Sequence, residues 1–287
     1  MNKVDERFKE DIRNILENGF VDENPRPKYA DGSKAYTKSV NHVVRTYDLS
    51  NGFIPIITLR AIAYKHAIRE LFWIYQQQSN DLNLLRDTYK INYWNEWESK
   101  DIPNTIGIRY GATVKKYDLM NKLLQGLKDD PFGRRHIIDL YQYADFEESD
   151  GLYPCAFCTI WNVRRENGEL TLDLLLLQRS GDLCCASSCG GINEVQYAVF
   201  QHLVARHCGY NVGKFTHIVV NEQIYNRHED NARIMLERES IDCFPQIKFN
   251  TNETNFFRIN PDDIEIVGYP IDKIKEQNPQ LKFELGI

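Results

Sequence analysis

The sequence predicts a single α+β domain over residues 1–287, with a mixed sheet flanked by helices. Helical and strand patterns are interspersed without a regular βαβ alternation. No internal repeat, low-complexity tract or composition shift marks a linker. The 287 residues, 42% hydrophobic and 26% charged, suffice to bury one large core or two modest ones, and the missing linker selects one. A disordered or collagen-like chain is excluded.

Val4, Phe8, Ile12, Ile15 and Leu16 recur at helical spacing and stop at Asn18-Gly19, predicting an opening amphipathic helix with a glycine C-cap. A Pro-, Gly- and Asp-containing loop follows from Asp22 to Ser33. Ile54 to Thr58 reads as a buried strand. Ala61 to Gln76, apolar almost all round, reads as a buried helix that carries Glu70 amid Ile68, Leu71, Phe72 and Trp73. Leu119, Met120, Leu123, Leu124 and Leu127 predict a helix ended before Pro131, followed by the basic turn Gly133-Arg134-Arg135-His136 and a strand over Ile137 to Tyr141. Ala156 to Val163 and Glu169 to Gln178 are extended runs joined through Asn167-Gly168, a hairpin signal. Ile192 to Cys208 predicts a long helix ending at Gly209, Phe215 to Val220 a strand, and Ile224 to Leu236 a helix. From Gln246 onward the tail reads as short strands and loops.

Forty-one Asp and Glu against 35 Lys and Arg give a net charge of −6, which disfavours a broad grip on nucleic acid but leaves room for a local anion site. DNA is therefore not an expected partner. The longest apolar stretches fall far short of the roughly 18 residues that span a membrane. The first residues lack the apolar stretch and cleavage site of a secretory signal, so a cytoplasmic protein is expected. Seven cysteines are an odd number and do not suggest the disulfide framework of a small secreted domain.

Cys155 opens the first hairpin strand, and Gln178-Arg179-Ser180-Gly181-Asp182 closes the second, so the hairpin can bring the two ends together. A guanidinium beside a thiol favours the nucleophilic thiolate; without that pairing, Cys155 reads as a small buried hydrophobe. Arg134, Arg135 and Arg179 are candidates for a phosphate dianion, which guanidinium forks fit, or else solvated surface charges. Glu70 is either a buried hydrogen-bond acceptor or a carboxylate tuned for proton transfer. Trp94 and Trp97 are core packing or a wall for a flat heterocycle. Cys155-x2-Cys158 with Cys184-Cys185-x3-Cys189 permits a structural zinc, but the second cluster lacks the usual knuckle, and no metal is expected.

Together these motifs resemble the thymidylate synthase family over nearly the whole chain. The likeness rests on Thr58-Leu59-Arg60, Arg69-Glu70-Leu71-Phe72-Trp73, Trp94-Asn95-Glu96-Trp97, Tyr110-Gly111 and Asp130-Pro131-Phe132-Gly133-Arg134-Arg135-His136. It continues through Pro154-Cys155, Gln178 to Asp182, Asn193, Tyr197, Tyr225-Asn226-Arg227-His228 and Phe283 to Ile287. The resemblance implies a homodimer whose sheets pack at the interface. It also implies one-carbon transfer from 5,10-methylenetetrahydrofolate, a cosubstrate, to C5 of a pyrimidine nucleotide. By this analogy Cys155 adds to C6 of the base, and Glu70, with Tyr110 and Arg179 also in the catalytic set, organises proton transfer. Gln178 and Asn193 belong to the nucleotide site, Asn193 reading the base edge, and Gln223 and Tyr225 lie at the sugar. Arg26, Arg179 and Ser180, with Arg134 and Arg135 donated by the other subunit, would hold the phosphate. Trp94, Trp97, Asp182 and the C-terminal Ile287 would form the folate side.

The chain departs from the family pattern at several places around the base and sugar. Ala156 replaces the histidine that often follows the nucleophile, Asn95 stands where aspartate is common, and Gln223 replaces a sugar-contacting histidine. The segment Leu183 to Ile192 is about three residues longer than usual. Methylation of dUMP to dTMP is the expected reaction, with a uridylate or deoxyuridylate hydroxymethylase as the alternative. A catalytically silent nucleotide- or RNA-binding homologue is a lesser alternative.

Overall fold

The computed structural model describes residues 2–185 and 187–286. Its helices are α1 (Lys3–Asn18), α2 (Tyr64–Leu71), α3 (Leu82–Asp87), α4 (Gly111–Lys116), α5 (Leu119–Asp129), α6 (Tyr143–Glu148), α7 (Ile192–Cys208), α8 (Glu229–Glu237) and α9 (Ile271–Gln277). The strands are β1 (Phe20–Val21), β2 (Thr37–Asp48), β3 (Ile137–Asp139), β4 (Ala156–Glu166), β5 (Glu169–Gln178), β6 (Gly181–Asp182), β7 (Asn211–Tyr225), β8 (Gln246–Phe249) and β9 (Ile264–Val267). They form a mixed sheet in the order β1-β2-β7-β5-β4-β3, with β6 beside β7, and a separate β8-β9 pair.

Local chemistry explains why the strongest sequence signals held. The Asn2 side chain accepts from the Val4 N–H and caps α1, whose apolar stripe is buried. Gly19 ends that helix in an extended conformation, φ −69°, not in the left-handed one expected of a glycine cap. Glycine is needed there because a Cβ would stand 2.3 Å from the Ile15 carbonyl oxygen. Asn167 and Gly168, both at positive φ, turn the β4–β5 hairpin. Helix α7 is buried along nearly its whole length and supplies the crossover between the parallel neighbours β5 and β7.

Several expectations are corrected. Ile54 to Thr58 forms no strand. It is a buried irregular run whose backbone is satisfied elsewhere: Ile54 donates to the Pro245 carbonyl, Ile57 to that of Gly190, and Thr58 to Asp5. The predicted helix from Ala61 begins at Tyr64 and ends as a π-helical turn over Phe72–Gln76. Strand β3 stops at Asp139. Strand β7 runs on to Tyr225, so the predicted Ile224 to Leu236 helix begins only at Glu229, after a 3-10 turn at Asn226–His228. The tail contains the helix α9. Strand β2 escaped the sequence reading because its inner face carries Thr37, Ser39 and Arg45 beside Val43, all buried, so no apolar alternation marks it.

That polar inner face belongs to a buried network. Arg45 on β2 donates through Nη1 to Asp11 of α1 (2.8 Å), through Nε to Glu194 of α7 (2.8 Å) and through Nη2 to Ser188 (2.7 Å). Its Nη1 also lies 2.9 Å from Glu222 of β7. His217 of β7 touches Glu194 at 2.9 Å and Gln178 at 3.1 Å through its two ring nitrogens. Burial would push the Glu194 carboxyl up, but Arg45 and the His217 hydrogen bond hold it at about 2. Asp11 goes the other way: burial and the Glu222 charge push it up to about 7.

The folded chain therefore keeps a proton on Asp11 that the unfolded chain releases near the ordinary aspartate value of 3.8. Asp11's contribution to stability is complete at acidic pH and is lost as pH rises toward 7. Asp11→Asn removes this dependence. Between pH 5 and pH 8, thermal melts are expected to move by several degrees in favour of the variant relative to the wild type; parallel pH profiles would contradict the buried proton.

Candidate active site

The hairpin ends meet. Ala156 pairs with Gln178 in register, and the Arg179 N–H donates to the Cys155 carbonyl at 2.9 Å. The Arg179 guanidinium clamps the approach to the cysteine, donating to the Pro154 carbonyl (2.9 Å) and the Tyr153 carbonyl (2.7 Å). Burial pushes the Cys155 thiol up, while Arg179 and then Arg26 pull it back.

A second shelf is built around Glu70. Its carboxylate is 6% exposed and accepts three hydrogen bonds, from Trp94 Nε1 (2.5 Å), Tyr93 Oη (2.7 Å) and Gln196 Nε2 (2.6 Å). Burial raises its pKa, and the three donors oppose that rise. Trp94 packs edge-on against Tyr110 at 5.2 Å and Trp97 at 5.7 Å between ring centroids. The Tyr110 hydroxyl accepts from the Cys155 N–H at 3.2 Å, so Cys155, Tyr110, Trp94 and Glu70 form one continuous chain of contacts. Tyr110 adopts φ +48°. At Gly111 a Cβ would stand 2.1 Å from the Ser79 carbonyl oxygen, so only glycine lets the loop hold Tyr110 there.

The polar wall follows from the strand ends. Gln178 donates to the Ser180 carbonyl (2.9 Å) and the Ser187 carbonyl (2.5 Å), and its oxygen faces His217 and, at 3.4 Å, the Asn193 amide. Ser180 Oγ reaches Gln223 at 3.4 Å. The long Leu183 to Ile192 segment is tied down at its described residues. Asp182 accepts from the Cys184 and Cys185 N–H groups at 3.0 Å each, and Glu194 accepts from Gly190. The segment delivers Asn193 to the start of α7, beside Gln178.

The chain's end lies across the same region. Phe283 sits against Arg60 and His228, Glu284 pairs with Arg227 at 2.7 Å, and Gly286 lies against the Tyr225 ring. Ile287 lies outside the described residues. Arg26, Arg134 and Arg135 are exposed, and Arg134 and Arg135 have no ion-pair partner among the described residues. These two arginines are not brought to Cys155 within one chain.

Tyr93 and Gln196, two of the three groups holding Glu70, were not singled out from the sequence. Gln196 sits on a helix buried along nearly its whole length, where a polar side chain requires a buried partner. The four-cysteine zinc arrangement is not assembled. All seven cysteines are free, and among the described residues the metal-capable cluster is Asp182, Cys185 and His228, which leaves out Cys155, Cys158, Cys184 and Cys189. No described helix is long and apolar enough to cross a membrane.

Comparison with known proteins agrees with this geometry. The family model described as thymidylate synthase matches residues 6–281. A thymidylate synthase of Streptococcus pneumoniae (strain 70585) is 49% identical over 288 aligned positions, covering all of both chains. One of Streptococcus gordonii is 48% identical over the same extent. The solved thermostable thymidylate synthase A from Bacillus subtilis superposes with a TM-score of 0.85 at 31% identity, covering 99% of each chain. Fold, site and sequence converge: this chain belongs to the thymidylate synthase family.

Proposed function

We propose that the protein methylates dUMP reductively to dTMP, with 5,10-methylenetetrahydrofolate as cosubstrate. The observation that carries this reading is the contact chain from Cys155 through Tyr110 and Trp94 to Glu70, which sets a nucleophile and a buried carboxylate at two ends of one aromatic shelf. Cys155 adds to C6 of the uracil, which places negative charge on C5 and the base carbonyl. Glu70, raised by burial, suits proton exchange with the bound base. Gln178 and Asn193 bind the base, Gln223 and Tyr225 the sugar, and Arg26, Arg179 and Ser180 the phosphate. The folate, which supplies the one-carbon unit and the hydride, would pack against the Trp94 and Trp97 side chains, with Asp182 assigned to the same side. Ile287, outside the described residues, is assigned to this side on the family resemblance alone. Seven free thiols suit a reducing compartment such as the cytosol.

We also propose that the site is completed in a homodimer. One face of the sheet packs on α7, while its other face leaves an apolar patch open among polar residues. Val44, Ile218 and Leu177 lie in one register row, and Ile137, Ile160 and Leu175 in another; Val44 and Ile137 are 49% and 45% exposed. Arg134 and Arg135 stand just before β3 at the edge of this face, where a second copy's phosphate site would meet them.

With dUMP and methylenetetrahydrofolate, absorbance is expected to report dihydrofolate, and mass spectrometry dTMP. Cys155→Ser should abolish turnover while keeping the melting temperature. A 5-hydroxymethyl product without folate oxidation would instead establish the hydroxymethylase. Glu70→Gln presents an amide donor to at least one of three existing donors, so kcat should drop by about 10²–10⁴-fold and stability by about 1–3 kcal/mol. Mixing Cys155→Ser with Arg135→Glu subunits should restore activity that neither has alone; a mixture as inactive as its parts rejects the shared site.

A further inference from the structure

Beyond the nucleophile and the folate wall, three donor atoms converge where the catalytic reading needs no such set. We propose that Asp182, Cys185 and His228 form a binding site for a thiophilic divalent cation of the Zn2+ kind. Their ligand atoms lie within 4.8 Å of one another. His228 Nδ1 is 3.7 Å from Asp182 Oδ2 and 4.0 Å from Cys185 Sγ. Tetrahedral zinc with bonds of about 2.0–2.3 Å places its ligands roughly 3.5 Å apart, so the two contacts to His228 need contract by only a few tenths of an ångström and no pair by more than about 1.3 Å.

The surroundings orient all three ligands. His228 Nε2 lies 2.7 Å from the Glu284 carbonyl oxygen; a carbonyl accepts only, so the proton sits on Nε2 and the Nδ1 lone pair faces the thiol and the carboxylate. Backbone carbonyls hold metal-binding imidazoles in this way. Asp182 Oδ1 is engaged by the Cys184 and Cys185 N–H groups, which leaves Oδ2 directed at His228. Binding transfers the Cys185 thiol proton to buffer and forms the metal–sulfur bond. The carboxylate and thiolate charges then balance the cation, and water takes the fourth position.

The regulatory consequence rests on the assignment of Asp182 to the folate side. A cation holding that carboxylate competes with the folate, and it fixes the tail through Glu284 and His228.

Titrating the purified full-length protein with Co2+ alone tests the site apart from turnover. One equivalent per chain should give a thiolate-to-cobalt charge-transfer band with tetrahedral d–d absorption, and Zn2+ should displace it. The band should persist in Cys155→Ser and vanish in both Cys185→Ala and Cys185→Ser, with melting temperatures confirming that the variants fold. Zn2+ should inhibit wild-type turnover reversibly with EDTA, and inhibit Cys185→Ala at least tenfold more weakly. No band in the wild type, or a band that survives loss of Cys185, overturns the proposal. Failure to turn over dUMP leaves the spectral result standing and counts against the catalytic reading alone.

Discussion

Arg45 is the point at which the elements of this fold are tied together. Its guanidinium is buried and bound to Asp11 from α1, Glu194 from α7 and Glu222 from β7. Three carboxylates around one guanidinium leave an excess of negative charge, offset by Arg7 on Asp11 and by a proton retained on Asp11, while His217 and Tyr47 hydrogen-bond Glu194. Breaking such a buried arrangement by removing one partner typically costs about 3–5 kcal/mol, because the remaining charge stays desolvated. The network therefore specifies how α1, β2, β7 and α7 meet more than it adds to total stability. Alternative registers of β2 on β7 would strand Arg45 among apolar side chains.

The proposed catalytic constellation inherits its geometry from that network. His217 passes its position to Gln178, Gln178 closes the turn after β5 through Ser180 and Ser187, and the strand end carries Arg179 to the Cys155 carbonyl. Glu194 fixes the first turn of α7 through the Gly190 N–H. The same helix carries Asn193 toward Gln178 and Gln196 toward Glu70. One rigid helix start thus serves both halves of the site, which keeps donors in place without mobile loops.

Legibility in the sequence followed the source of each element's order. The β4–β5 hairpin and α7 were readable because periodicity and the Asn167-Gly168 turn are local signals. Strand β2 was missed, and the irregular run Ile54 to Thr58 misread, because their order comes from distant polar partners, Arg45 from three elements and Thr58 from Asp5. The pairing of Cys155 with Arg179 could be inferred from hairpin length. The grip of Tyr93 and Gln196 on Glu70 could not, since it joins residues 126 apart in the case of Gln196. The altered Leu183 to Ile192 segment looked disruptive in one dimension, yet side-chain and backbone bonds around Asp182 fold it away and leave Asn193 beside Gln178.

The resting state of Cys155, the proposed nucleophile, completes the physical picture. Burial raises the Cys155 thiol despite Arg179 and Arg26, so at neutral pH the free protein holds a protonated sulfur. A protonated thiol is a weak target for oxidants, and it spares the site a buried charge when no substrate is present. Addition to a pyrimidine becomes favourable only when the charge passed to the base carbonyl and C5 finds its own donors. On the proposed reading those donors are the Gln178 and Asn193 amides and the groups organised by Glu70. Reactivity then resides in the complex rather than in the cysteine: the protein withholds stabilisation from the thiolate and supplies it to the charge that replaces it.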